Sequence, residues 1–182
     1  MSDTKVFVGG SRHLSRLNAE TRQRLDRIIE GGLAVLIGDA NGADKAVQVY
    51  LAERQYPAVT VFCMANTCRN NAGGWPTRQI QAPRAARGFA LYALKDAAMA
   101  AEASHGFMLW DGESKGTLNN IVSLVTIGKP VVVFFGPAKD FVNVRSRQDV
   151  VDLLSRCERS DVERFEKELD LERTLHQGAP LL

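Results

Sequence analysis

No acidic residue occurs between Glu53 and Asp96, while Arg54, Arg69, Arg78, Arg84, Arg87 and Lys95 fall inside that gap. A stretch of one sign creates local positive potential that draws in anions, or else it is a solvated basic loop. The net charge of +2 is too small for a general nucleic-acid coat, so nucleic acid is disfavoured as a partner. Cysteine is scarce: Cys63, Cys68 and Cys157 are an odd count in a spacing that fits no zinc pattern. Reduced thiols are expected. Histidine is equally sparse, and His13, His105 and His176 lack metal-ligand spacing, so neither a metal nor a cofactor is predicted. The longest aliphatic and aromatic run, Val131 to Phe135, is far short of the ~20 residues that span a bilayer. The N-terminus enters Lys5-Val6-Phe7-Val8 without the charged and apolar regions of a secretory signal. A cytoplasmic, membrane-free location is the expectation.

What is present is a core. With 182 residues, 45% of them apolar, the chain suffices for one well-buried domain and a short appendage. Short apolar runs at 5–9, 33–37, 58–63, 105–110 and 130–135 alternate with helical patterns. Asn18 is placed to cap the first helix and Gly31-Gly32 to end it. This predicts an α/β fold, a doubly wound, Rossmann-like parallel sheet of about five strands flanked by helices. Residues 1–136 form that domain, and residues 137–182 form a mostly helical C-terminal extension packed on the core or on a partner subunit. Residues 64–84 break the pattern, and a loop of roughly 20 residues is more often functional than filler. In it, Trp75 either stacks on a base or packs on its own loop.

Three polar, glycine-containing loops follow apolar strands. They are Gly9-Gly10-Ser11-Arg12, Gly38-Asp39-Ala40-Asn41-Gly42-Ala43-Asp44, and Asp111-Gly112-Glu113-Ser114-Lys115-Gly116-Thr117. A strand that breaks at glycines and re-enters a helix leaves backbone N–H groups unpaired at the positive end of the helix dipole. Such a place attracts phosphate. Gly9 and Gly10 would let a ligand approach, with Ser11 and Arg12 as donors. At the third loop Gly112, Ser114, Gly116 and Thr117 offer donors; the alternative is an ordinary strand-to-helix turn capped by Thr117. Asp44 is either a helix-start residue or a ribose contact. Asp96 shares an otherwise apolar helical stripe with Phe89, Tyr92 and Met99, so it needs a ligand or a structural partner; neighbouring Lys95 points elsewhere on the helix.

These loops, with Lys95-Asp96, resemble the SLOG superfamily of Rossmann-like proteins, which includes DprA-type DNA-processing proteins and LOG-type phosphoribohydrolases. The resemblance covers about residues 5 to 135. It implies that Gly9, Gly10, Ser11, Arg12, Gly38, Asp39, Asn41, Gly42, Ala43, Asp44, Asp111, Gly112, Ser114, Gly116 and Thr117 bind a nucleotide or a nucleotide-derived phosphorylated ligand. For Asp96 it implies a ligand-pocket or subunit-interface role. LOG-type members cleave N-glycosidic bonds with a glutamate in a Pro-Gly-Gly-X-Gly-Thr-X-X-Glu motif; here the proline is missing and Asn120 stands at the glutamate position. An amide cannot act as a carboxylate base. Asp96 and Glu113 are the catalytic candidates for the alternative, a nucleoside or nucleotide N-glycosidase, a phosphoribohydrolase or a deoxyribosyltransferase-like enzyme. A binding protein that forms a homodimer or higher homo-oligomer through its alanine-rich and apolar helices is the leading expectation.

Overall fold

Successive side chains of a strand point to opposite faces, and the first strand, β1 (Lys5–Gly10), is apolar on both. Val6 and Val8 enter one core layer and Phe7 the other, all three buried. Such a strand belongs mid-sheet with helices above and below. The computed structural model, which describes residues 3–176, has it there. In chain order β1 is followed by α1 (Ala19–Glu30), β2 (Ala34–Ile37), α2 (Ala43–Glu53), β3 (Val59–Met64), β4 (Thr77–Ile80) and α3 (Gly88–Glu102). Then come β5 (His105–Trp110), α4 (Lys115–Thr126), β6 (Val131–Phe135), β7 (Asp140–Val144), α5 (Arg147–Leu154), α6 (Arg159–Leu169) and α7 (Leu171–His176). The sheet order is β4-β3-β2-β1-β5-β6-β7, parallel except for β7. One core layer packs α1 and α2 on the sheet, and the other packs α3 to α7.

The doubly wound α/β fold is the predicted one; the strand count is not. Instead of about five strands there are seven, because an edge strand needs backbone partners more than apolar side chains. β4 lies inside the segment read as loop: Thr77-Arg78-Gln79-Ile80 lacks an apolar signature, yet it pairs in parallel with Val61 to Met64. β7 closes the opposite edge, antiparallel along all of β6. In the same segment Trp75 is buried, and its indole N–H donates to the Tyr56 carbonyl at 2.8 Å. It packs on its own loop and offers no stacking platform.

Cys63 and Cys68 correct the expectation of free thiols: they are joined as a disulfide, with Cα atoms 5.1 Å apart. The chain reverses between them through Ala65 and Asn66, both in the left-handed region at φ 49° and 63°. That tight reversal, invisible in a residue count, brings the sulfurs together. Cys157 remains a thiol, pushed up to about 11, chiefly by burial.

From β1 the chain winds outward through β2 and β3 to β4, then returns by α3 to place β5 on the other side of β1. The carboxyl ends of β1 and β5 therefore flank a topological switch point, where a crevice opens in this fold class. Glycine permits the crossing there. A Cβ on Gly10 would strike the Leu109 carbonyl oxygen and lie 2.9 Å from the Ala43 Cβ, so β1, β5 and α2 converge only because position 10 has no side chain. The C-terminal segment joins the same core: Phe165 of α6 is fully buried, its ring 6.0 Å from that of Trp110.

Candidate functional site

The loops after β1 and β5 are tied by a hydrogen bond from the buried Ser11 hydroxyl to Asp111, at 2.5 Å. The other Asp111 oxygen accepts from the amides of Glu113 (3.1 Å) and Ser114 (2.8 Å), as an acidic turn residue does just before a helix. Ser114, not Thr117, caps α4: its hydroxyl accepts from the Thr117 amide at 3.4 Å. Of the donors predicted in this loop, those at Ser114 and Thr117 thus serve the protein itself, as does the Glu113 amide. The amides of Lys115 and Gly116 have no partner among the described residues. A Cβ built on Gly116 meets nothing within 4 Å, so open space lies before it.

Behind the loops lies a buried charge cluster. Asp39, 2% exposed, accepts from Lys95 Nζ at 2.8 Å and from Arg69 through Nη2 (2.8 Å), Nε (3.3 Å) and the backbone amide (3.1 Å). Burial works against its charge, but the Arg69 and Lys95 hydrogen bonds outweigh that and hold its carboxyl well below the usual range. Lys95 is itself 3% exposed. Gly38 makes room for this cluster, since a Cβ there would lie 2.5 Å from Asp44 Oδ2 and 3.1 Å from Lys95 Nζ. Gly42, at φ 83°, lets the second loop pass against the Arg12 backbone. Gly10, Gly38 and Gly42 therefore make room for protein atoms, and Gly10, read as letting a ligand approach, also lines the cavity described next.

In front of the cluster, a cavity of about 720 Å³ opens between the loops, α3 and α4. Of the predicted residues, Gly9, Gly10, Arg12, Asp44, Asp96, Glu113, Ser114, Gly116 and Thr117 line it. Ser11, Asp39, Ala43, Asp111 and Gly112 stand behind its wall, and Asn41 Oδ1 accepts from the Asn70 amide at 3.0 Å. Glu113 is exposed at the rim. The sequence reading did not select the cations that join Arg12 at the mouth. The Arg12 and Arg69 guanidinium carbons lie 5.3 and 4.9 Å from the Tyr92 ring centroid, and Lys95 Nζ lies 5.9 Å from it. Lys115 sits 4.9 Å from the Phe89 centroid and pairs with Glu168 at 2.8 Å, while Arg164 donates to the Glu113 carbonyl. The acid-free stretch was the available signal for Arg69 and Lys95; nothing in the chain marks Arg164.

Two carboxyls in the cavity wall are shifted the other way from Asp39. Burial first, and the nearby Asp96 and Asp39 charges after it, push Asp44 up to about 7, against the pull of Lys95 and a hydrogen bond from the Ala40 amide. Asp96 is likewise raised by burial, countered by Lys95, a hydrogen bond from Asn120 and Arg12. A carboxyl raised in the folded state stabilises fully below its ordinary pKa, and that contribution is lost as pH climbs through the folded value. For Asp44 the window runs from 3.8 to about 7. Unfolding free energy is expected to fall by about 2 kcal/mol between about pH 5.5 and pH 8 from this group. In Asp44→Asn that part of the slope disappears, which urea titrations at the two pH values will read; an unchanged slope would remove Asp44 as its source.

No family model and no curated protein matches the chain. Among solved structures, it is similar to DNA processing protein A from Helicobacter pylori, described for a unique single-stranded DNA binding mode. The TM-score is 0.56 at 13% identity, over 92% of this chain and 81% of that one. The likeness establishes a DprA-like Rossmann fold. It also corrects one expectation, that nucleic acid is disfavoured as a partner: a protein of this architecture binds single-stranded DNA.

Proposed function

We propose that the cavity binds the phosphate of a nucleotide unit, free or within a single strand. The observation that carries this is the opening of α4 at the cavity: the amides of Lys115 and Gly116 have no protein partner among the described residues, both residues line the cavity, and a Cβ on Gly116 would meet nothing within 4 Å. About three turns of aligned peptide dipoles place partial positive charge at that point, and unpaired N–H groups there suit an anion. Arg12, Arg69 and Arg164 raise the potential of the same mouth. Single-stranded DNA binding by the structural neighbour supports the nucleotide class.

Gly116→Val tests the reading, because a Cβ there meets no protein atom within 4 Å and the larger side chain crowds the cavity beside those amides. Titration with adenosine monophosphate and with a short single-stranded oligonucleotide is expected to show binding to the native chain and a loss of tenfold or more in the variant, from charge-assisted bonds of ~1.5–3 kcal/mol. The melting temperature should be nearly unchanged. A steep fall of oligonucleotide affinity with salt, set against a shallow one for the mononucleotide, separates the two sources. Equal affinity in variant and native chain, or no binding of either ligand, would overturn the proposal.

A further inference from the structure

The two faces of the sheet are covered unequally at its β7 edge. α1 and α2 link β1, β2 and β3 on one side, and every later helix packs on the other, so the face that β6 and β7 turn toward α1 has no helix of its own. Strand alternation sends Val142 and Val144 of β7 into the core layer shared with α5, and Phe141 and Asn143 to the uncovered side. Phe141 is 38% exposed there, its ring resting on Phe134 and Phe107 at centroid distances of 5.4 and 6.3 Å. The Arg24 guanidinium carbon, from α1, lies 5.9 Å from the same ring centroid. At the amino ends of β5 and β6 a second cavity, of about 460 Å³, is lined by Arg24, His105, Asn143 and Arg145 and by no acidic residue. Neither arginine has a carboxylate within ion-pair distance among the described residues; the Arg145 charge acts on Asp149 from farther off. A single exposed apolar side chain is ordinary. Its coincidence with two uncompensated guanidinium groups is what singles out this face.

We infer that this face is a second, separate surface for single-stranded nucleic acid, on which a base stacks against Phe141 while a neighbouring phosphate enters the pocket between Arg24 and Arg145. It does not depend on the phosphate cavity, which lies at the carboxyl ends of the strands, whereas this pocket lies at the amino ends of β5 and β6. Charge complementarity selects the occupant. Two guanidinium groups with no acid in the lining favour an anion that can take bidentate, charge-assisted hydrogen bonds, as a phosphate does. The aromatic ring beside them favours a planar partner, and a single strand supplies both, its phosphates and base faces alternating along the chain. Arg24 joins the two halves, lining the pocket while it lies against the Phe141 ring. An acidic peptide or an anionic membrane would engage the arginines but would bring no base to the ring.

The experiment compares an oligothymidylate of about ten nucleotides with an abasic strand of the same length, which carries the phosphates without the bases. Phe141→Leu keeps an apolar side chain against Phe134 and Phe107 but removes the ring. It is expected to weaken oligothymidylate binding about tenfold and to leave the abasic strand unaffected, while Phe141→Tyr binds both as the native chain does. Arg24→Gln and Arg145→Gln should weaken both strands, each lowering the slope of log affinity against log salt by roughly 0.7. Adenosine monophosphate, the probe of the carboxyl-end cavity, should bind these four variants as it binds the native chain. In Gly116→Val the oligothymidylate binding that remains should still respond to Phe141→Leu. Thermal melting checks that each variant is folded, and the two arginine variants carry the test if Phe141→Leu is not. Three results would each overturn the surface: native protein that binds no oligothymidylate, arginine variants with native affinity and salt slope, or a folded Phe141→Leu that binds oligothymidylate as the native chain does or weakens both strands alike. Adenosine monophosphate binding decides the cavity in every case, so either site can fail while the other stands.

Discussion

Replacing Asp39 by alanine is expected to destabilise the protein by ~3–5 kcal/mol, a large share of the stability of a domain this size. The reason is what the change leaves behind. Lys95 is 3% exposed and its ammonium is matched at 2.8 Å by Asp39. Without that carboxylate, a buried cation is left with Asp44 and Asp96, whose carboxyls burial pushes toward the neutral form. Arg69 loses two side-chain bonds and one backbone bond in the same step, releasing the segment that follows the Cys63–Cys68 disulfide. The double variant Asp39→Ala/Lys95→Met distinguishes this account from simple loss of packing. Removing both charges should restore most of the stability, since replacing a whole buried ion pair with apolar groups is often near neutral. Urea unfolding of the single and double variants reads the result; a double variant no more stable than Asp39→Ala would show that the ammonium is not the source of the penalty.

Phe165→Ala is expected to cost a similar ~3–5 kcal/mol, the usual range for removing a fully buried aromatic ring. Phe165 is the one buried residue of α6, and its ring meets Trp110 at the end of β5. Its loss removes the anchor that holds α6 over the start of α4. Arg164, bound to the Glu113 carbonyl, and Glu168, bound to Lys115, ride on that helix and line the cavity mouth. The variant should therefore combine a lower unfolding midpoint with faster proteolytic cleavage within residues 159–169. Native-like stability and protease resistance would mean that α6 is held by its surface ion pairs instead, which ordinarily contribute little.

The arrangement of the site explains which of its parts were legible beforehand. Glycine loops after β1, β2 and β5 stand out in the chain because backbone geometry at a strand end is local, and the Asn18 cap is as local as they are. Helical spacing points Lys95 away from Asp96, yet the Lys95 charge opposes the rise of that carboxyl, and its chain reaches 56 residues back to Asp39. Arg69 meets Asp39 across 30 residues from inside a segment with no periodicity to read. β4 was missed because its residues bury little apolar surface, and the disulfide because a pair of left-handed residues, not spacing, makes it.

The amino-acid order by itself determined the layered α/β plan, since apolar runs of strand length separated by helical stripes can be buried in few other ways. It also determined the glycine-bearing turns at the strand ends, where the requirement for a missing side chain is met within a few residues. Only the tertiary structure decided which charges meet. Asp39 with Lys95 and Arg69, Asp96 with Asn120, and Arg164 with the loop after β5 are set by the winding of the sheet, and the direction in which each carboxyl is shifted follows from burial and partners that no stretch of sequence contains.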